Sequence, residues 1–193
     1  TFGEPPSLTQ LDAVEALAPT LIFTTDMLGN DALGPGGNMP SPEQIAADLA
    51  ILVPRLAATG AHVFLGDMPD VTILPGRIGA PDPNTSANIV LYNEALQAEA
   101  DRFENVHVVP LFDATAEVAT DGLLIGDETL HIGMLGGLLS FDGLHFSATG
   151  YGLVAQVFAT SISEELGVEL PPVDMPSILA ASPHSPAAIR AAG

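Results

Sequence analysis

The chain has 193 residues, which suits one domain with a sizeable core, and 47 % of them are apolar, which excludes a disordered composition. Four basic residues against 24 acidic ones leave a formal net charge of −20, a balance that repels nucleic-acid backbones and anionic membranes. The absence of cysteine excludes disulfides, thiolate catalysis and cysteine-based metal sites.

The basic residues are Arg55, Arg77, Arg102 and Arg190, with no lysine, a pattern that fits either a salt-adapted surface or a biased genome. No apolar run reaches the ~18 residues of a membrane-spanning helix, and no secretory leader is visible. The chain begins at Thr1, so either the native start is expected upstream or a segment is expected to have been removed.

Pro5-Pro6 leads into Ser7-Leu-Thr-Gln10, a capping-box pattern with Ser7 as N-cap. Leu8, Leu11, Val14 and Leu17 then recur at helical spacing until Pro19 stops the helix. Leu21 to Thr25 is a short apolar run and predicts a buried strand. Asp26 to Ser41 is a Gly/Pro-rich loop at the C-terminal end of that strand, where open α/β sheets place their chemistry. Ser41-Pro42 opens the second helix, with Ser41 as N-cap and Pro42 at its first position. Its predicted stripe is Ile45, Leu49, Leu52 and Leu56, with Pro54 inside and Gly60 at the end.

His62 to Leu65 predicts the second strand. Gly66 to Ser86, with four prolines, predicts a long loop able to border a pocket. Ser86 to Glu104 predicts the third helix and Val106 to Val109 the third strand, with His62 and His107 as structural residues. Leu111 to Gly122 predicts a short helix and Leu123 to Ile132 a loop or hairpin. Asp127, Glu128 and His131 match no strong metal signature. Ser147 is expected to cap a last helix that runs to Leu166 and stops at Gly167. The Pro/Ala/Ser-rich residues 171–193 predict a tail that wraps the body or stays mobile, leaving residues 1–170 as the folded domain.

Two stretches carry chemistry. Leu138 to Gly152 reads Leu-Leu-Ser-Phe-Asp-Gly-Leu-His-Phe-Ser-Ala-Thr-Gly-Tyr-Gly. Asp142 stands three residues before His145 across a glycine turn, a spacing that lets the carboxylate fix one ring nitrogen while the other faces a cleft. A helix-capping loop with a chance Asp and His gives the same pattern. The second stretch is Gly29-Asn30-Asp31 after the first strand. The Asn30 amide can donate to a developing oxyanion, a contact worth about 3 to 4 kcal/mol of barrier, or it can form an Asx-turn. Asp31 reads as a loop cap.

Together, Gly29-Asn30-Asp31, Asp142-Gly-Leu-His145, Met68-Pro69-Asp70-Val71-Thr72 and Gly150-Tyr151 resemble the SGNH (GDSL) hydrolase superfamily from about Leu11 to Asp174. The chain departs from that family at Leu28, where the G-x-N-D block has glycine, and at Phe146, where proline commonly follows the histidine. The first block, whose Gly-Asp-Ser supplies the nucleophile, and the second, whose glycine completes the oxyanion hole, have no counterpart here.

The resemblance implies a flavodoxin-like three-layer α/β/α fold with a parallel sheet, lacking the family's first two strands. It implies a serine ester hydrolase in which Asp142 orients His145, His145 is the base and Asn30 is the oxyanion donor. No residue of this chain is assigned as the nucleophile, and no metal or organic cofactor is needed. The substrate would be a small-molecule or lipid ester, in a secreted, periplasmic or outer-surface setting. The open sheet edge would recruit an N-terminal fragment carrying the serine, or a second copy of the chain. The rival expectation is a non-catalytic relative that keeps the fold as a binding or assembly module. A flavodoxin-like ligand-binding domain ranks last, because no phosphate-cradling glycine loop follows Leu21–Thr25.

Overall fold

The apolar runs pair as a parallel sheet in a computed structural model that describes residues 9–25, 27–29, 39–74, 85–134, 136–183 and 185–192. Strand β1 (Leu21–Thr24) pairs with β2 (His62–Gly66), and β2 pairs with β3 (Val106–Val109), in the spatial order β1-β2-β3. The register sets Phe23 beside Phe64, and Phe64 beside His107. Val63, Phe64 and Leu65 of the central strand are completely buried, which is why that strand reads as an unbroken apolar run.

Helices cover both faces. On one face lie α1 (Gln10–Leu17), α2 (Pro42–Ala58) and α3 (Thr85–Ala100). Their side chains join Val63 and Leu65 in a core that includes Leu49, Val53, Ile89 and Leu96. On the other face α4 (Leu111–Asp121) and α5 (Ala148–Leu166) enclose Phe64, with Val109, Leu111, Val154 and Phe158 around it. The fold is therefore mixed α/β, with a three-stranded parallel sheet between helical layers.

The predicted caps of two long helices are in place. Ser41 Oγ accepts from Gln44 N, and Ser147 Oγ accepts from Gly150 N. Gly167 closes α5 in the left-handed conformation. Several expectations need correcting. The N-cap of α1 is Thr9, not Ser7: Thr9 and Asp12 form a reciprocal capping box two residues later, and Ser7 lies outside the described residues. Leu17, predicted on the buried stripe, is 78 % exposed, because a helix this short packs only through Leu11 and Val14. Val53, which the predicted stripe omits, is fully buried beside Ile45, Leu49 and Leu56, while Leu52 is partly buried against the same core. Helix α3 ends at Ala100 rather than Glu104, and the loop before it holds a 3₁₀ turn at Val71–Ile73.

Beyond α4, the hairpin reading of Leu123 to Ile132 holds: β4 (Leu123–Ile125) pairs antiparallel with β5 (Glu128–Leu130). The tail does wrap the body, as α6 (Met175–Ala181) and α7 (Pro186–Ala192). Leu179 of α6 enters a third core with Val118, Ile125, Leu130 and Leu138, and Arg190 of α7 pairs with Glu128 on the hairpin.

Three of the four arginines lie among the described residues, and each is matched to acid. Arg55 bridges Asp12 at 2.6 Å and Glu15 at 2.7 Å, tying α1 to α2, and this holds the Asp12 carboxyl down to about 2. Arg102 pairs with Glu99, and Arg77 lies outside the described residues. Local pairing therefore leaves most of the acidic charge unneutralised.

Asp67, just past β2, has a role that its own neighbours in sequence do not foretell. Pro110 stands at the N-cap of α4 and offers no side-chain acceptor. Asp67 supplies one from across the sheet, accepting the Phe112 N–H at 2.6 Å and that of Leu111. Burial outweighs these bonds, with Asp113 adding repulsion, and pushes the carboxyl up to about 6. A folded-state value above the unfolded one favours the protonated form. The contribution is thus complete below about pH 4 and is lost as pH rises through about 6. Asp67→Asn keeps an acceptor for Phe112 and removes the charge. Its urea midpoint should exceed the wild-type value at pH 7.5 and converge with it at pH 4; a gap independent of pH would refute this account.

Candidate active site

The Asp142–His145 segment is built as a closed loop on a buried base. Leu138 and Leu139 are fully buried, and Leu139 makes an antiparallel bridge with Phe146. Ser140 N–H donates to His145 O at 2.8 Å, and Ser147 N–H to Leu138 O at 2.8 Å, closing both strands of the loop. Between them Gly143 N–H bonds Ser140 O at 3.0 Å, and Gly143 sits at φ 68°, a conformation that favours glycine. Gly150 lies under this loop with no room for a side chain: a Cβ there would stand 2.3 Å from Leu138 O. The glycines of the motif thus shape the turn and let α5 approach it.

The turn brings the two predicted residues together. His145 Nδ1 lies 2.7 Å from Asp142 Oδ2. Asp142 Oδ1 accepts from the Ser140 hydroxyl at 2.7 Å and from the Leu144 and His145 N–H groups, each at 2.9 Å. These donors, the Ser140 hydroxyl foremost and the His145 ring next, hold the Asp142 carboxyl well below the usual carboxylate range. An ionised carboxylate only accepts, so the proton of this contact belongs to His145 Nδ1 and the lone pair of a neutral ring to Nε2. Two-thirds of the His145 side chain remains exposed, so the ring is open to a reacting group.

His145 borders a cavity of about 280 Å³. Its walls come from the ends of different elements: Thr25 and Gly29 after β1, Met68 to Val71 after β2, Leu111 and Thr115 of α4, and Tyr151 and Val154 of α5. Gly29, the first residue of the predicted oxyanion block, therefore shares a cavity with His145. Asn30 and Asp31 lie outside the described residues. Leu28, where the family pattern has glycine, is buried in the core between sheet and helices.

Compared with known proteins, the chain matches no family model, no curated protein and no solved structure.

Other sequence candidates lie elsewhere. Ser147 caps α5 and donates weakly to Gly137 O at 3.3 Å. Glu128 is engaged by Arg190. His107 stacks on Phe64 with ring centroids 4.9 Å apart, and its Nδ1 lies 3.2 Å from Glu165 Oε2.

Sequence reasoning missed three supporting side chains. Ser140 is one; a hydroxyl two residues before an aspartate is a local signal that could have found it. Asn93 is another: its amide accepts from Met68 N–H and donates to Met68 O, at 2.8 and 2.9 Å, clamping the cavity wall after β2. Ser86 is the third, donating to Asp70 Oδ2 at 3.0 Å and so bracing the next residues of that wall. Both contacts span loop and helix, and no short sequence window shows them.

Removing the foremost donor tests the electrostatics. In Ser140→Ala the Asp142 carboxyl should titrate at higher pH than in the wild type, followed by side-chain carboxyl NMR. The sign follows from a folded value below the unfolded one: Asp142 stabilises the fold above about pH 4 and loses that contribution on acidification. The variant should lose it at a higher pH; an unmoved Asp142 titration would contradict the assigned hydrogen bond.

Proposed function

We propose that this chain supplies the acid–base half of a serine ester hydrolase of SGNH type. The observation that supports it most is the 2.7 Å contact between Asp142 and His145, at the mouth of a largely apolar cavity. In this reading β1, β2 and β3 correspond to the third, fourth and fifth strands of a flavodoxin-like SGNH sheet. The family's central strand would then lie on the free edge of β1.

That edge has the character such a role requires. Phe23 of β1 is 61 % exposed and Leu21 41 %, and the buried Thr24 hydroxyl has no hydrogen-bond partner. Among the described residues no strand pairs with that side of β1. An apolar edge strand left open recruits another strand. The serine nucleophile is assigned to a segment or partner docked there.

The mechanism uses the residues as follows. The serine Oγ bonds to the ester carbonyl carbon while His145 Nε2 takes its proton. Asp142 stabilises the imidazolium through Nδ1–H, and Asn30 donates to the oxyanion. His145 passes the proton to the leaving alkoxide, the carbon–oxygen bond breaks, and an acyl-serine remains. Water then attacks, His145 takes one of its protons, and the acid leaves as that proton returns to serine. Every step is served by side chains, and none calls on a metal or organic cofactor. No helix among the described residues is long and apolar enough to cross a membrane, and a secreted or outer-surface setting belongs to this same reading.

Intact mass and denaturing electrophoresis of the natively purified protein, with fluorophosphonate labelling and p-nitrophenyl ester turnover, test this. The expected result is one labelled serine in a longer chain or co-purifying fragment. His145→Ala should then lower kcat about 10⁴-fold or more, while substrate binding changes little. A protein that keeps its upstream sequence or partner yet neither labels nor turns over ester would instead be a binding module, in which Leu28 and Phe146 have replaced the family's glycine and proline.

A further inference from the structure

The cavity beside His145 is lined mostly by apolar side chains. Met68, Val71, Ile73 and Leu74 form one wall, and Leu111 and Val154 form the other. Two of its polar side chains are already engaged within the protein. The Thr115 hydroxyl donates to Leu111 O at 2.8 Å and Phe112 O at 3.0 Å. Asp70 accepts from Thr72 N–H at 2.8 Å and from the Ser86 hydroxyl. A sugar or other polyhydroxylated group needs several free donors and acceptors around it, and beyond these two the described lining offers only the Thr25 and Tyr151 hydroxyls and the His145 ring among its polar side chains. The acidic surface likewise disfavours an anionic ligand.

We infer that this cavity is an acyl-chain pocket sized for a neutral ester with an acyl tail of roughly six to eight carbons, its carboxyl end at His145. The size follows from volume. An apolar cavity of about 150 Å³ takes up benzene, six carbons. In the same proportion, 280 Å³ holds roughly eleven heavy atoms. The ester group accounts for three of these, leaving a tail of medium length. Each methylene seated against the walls should tighten binding about fourfold, and methylenes beyond the end of the pocket should add nothing. The carboxyl placement rests on the esterase reading, whereas the apolar binding does not.

Two measurements separate the claims. The first is calorimetric titration of the natively purified protein with straight 1-alkanols from ethanol to dodecanol, which requires no chemistry. Affinity should climb about fourfold per carbon to a plateau at nonanol to decanol, because an alkanol places one heavy atom rather than three at its polar end. Ile73 is half-buried in the wall, so Ile73→Trp fills the pocket without opening the core. In that variant the plateau should fall by about two to three carbons. Affinity that does not depend on chain length in the wild type overturns the pocket, whatever becomes of the variant. So does a rise that continues unbroken to dodecanol.

The second is kcat/KM for p-nitrophenyl esters from acetate to palmitate on the fluorophosphonate-reactive form, with an expected optimum at hexanoate to octanoate. An alkanol plateau without fluorophosphonate labelling would sink the esterase reading and leave the apolar pocket standing. Labelling with a flat ester profile would do the reverse.

Discussion

The central strand β2 is the constraint on which the rest depends. Its neighbours lie parallel to it on both sides, and its side chains alternate into two separate cores. Parallel neighbours require crossover helices, so α2 and α3 must return across the sheet and bury their apolar stripes there. Phe64, pointing the other way, demands cover from α5. Because β2 is covered on both faces, its C-terminal end is fixed in space. Gly66, Asp67 and Met68 emerge there in sequence, and each sets one neighbour: Gly66 lets Leu111 and Thr24 approach, Asp67 caps α4, and Met68 lines the cavity.

The Asp142–His145 loop is organised by a different force. It is anchored beneath by buried Leu138 and Leu139, but the pair itself is half or more exposed. An exposed ion pair contributes little to stability, because water screens it and competes for its donors. The four hydrogen bonds converging on Asp142 therefore serve orientation more than stability: they point one carboxylate oxygen at Nδ1 and leave Nε2 free. Covering this loop with a docked segment would lower the local dielectric and strengthen the same contacts without moving them.

Charge and apolar surface divide the molecule by task. Three arginines are spent on local pairs that fasten α1 to α2, one turn of α3 to its end, and α7 to the hairpin. The uncompensated acidity surrounds the chain with negative potential, while Leu21 and Phe23 of β1 and the walls of the cavity are apolar.

Local order was legible in the chain wherever one short window contains the cause. The Ser41 and Ser147 caps, the Gly167 stop and the approach of Asp142 to His145 all depend on contacts within about four residues. Tertiary structure alone decided the rest. Thr9 rather than Ser7 caps α1, because Arg55 of α2 fixes Asp12 from 43 residues away and so selects the capping box that contains it. Asp67 became the cap of a helix that follows another strand, Asn93 became the clamp on Met68, and the tail became two helices, α6 packed on α5 and the hairpin and α7 tied to the hairpin through Arg190. Composition and spacing specify which side chains are able to make such contacts. Only the closing of the sheet, which fixes the distances between segments far apart in sequence, determines which of them are made.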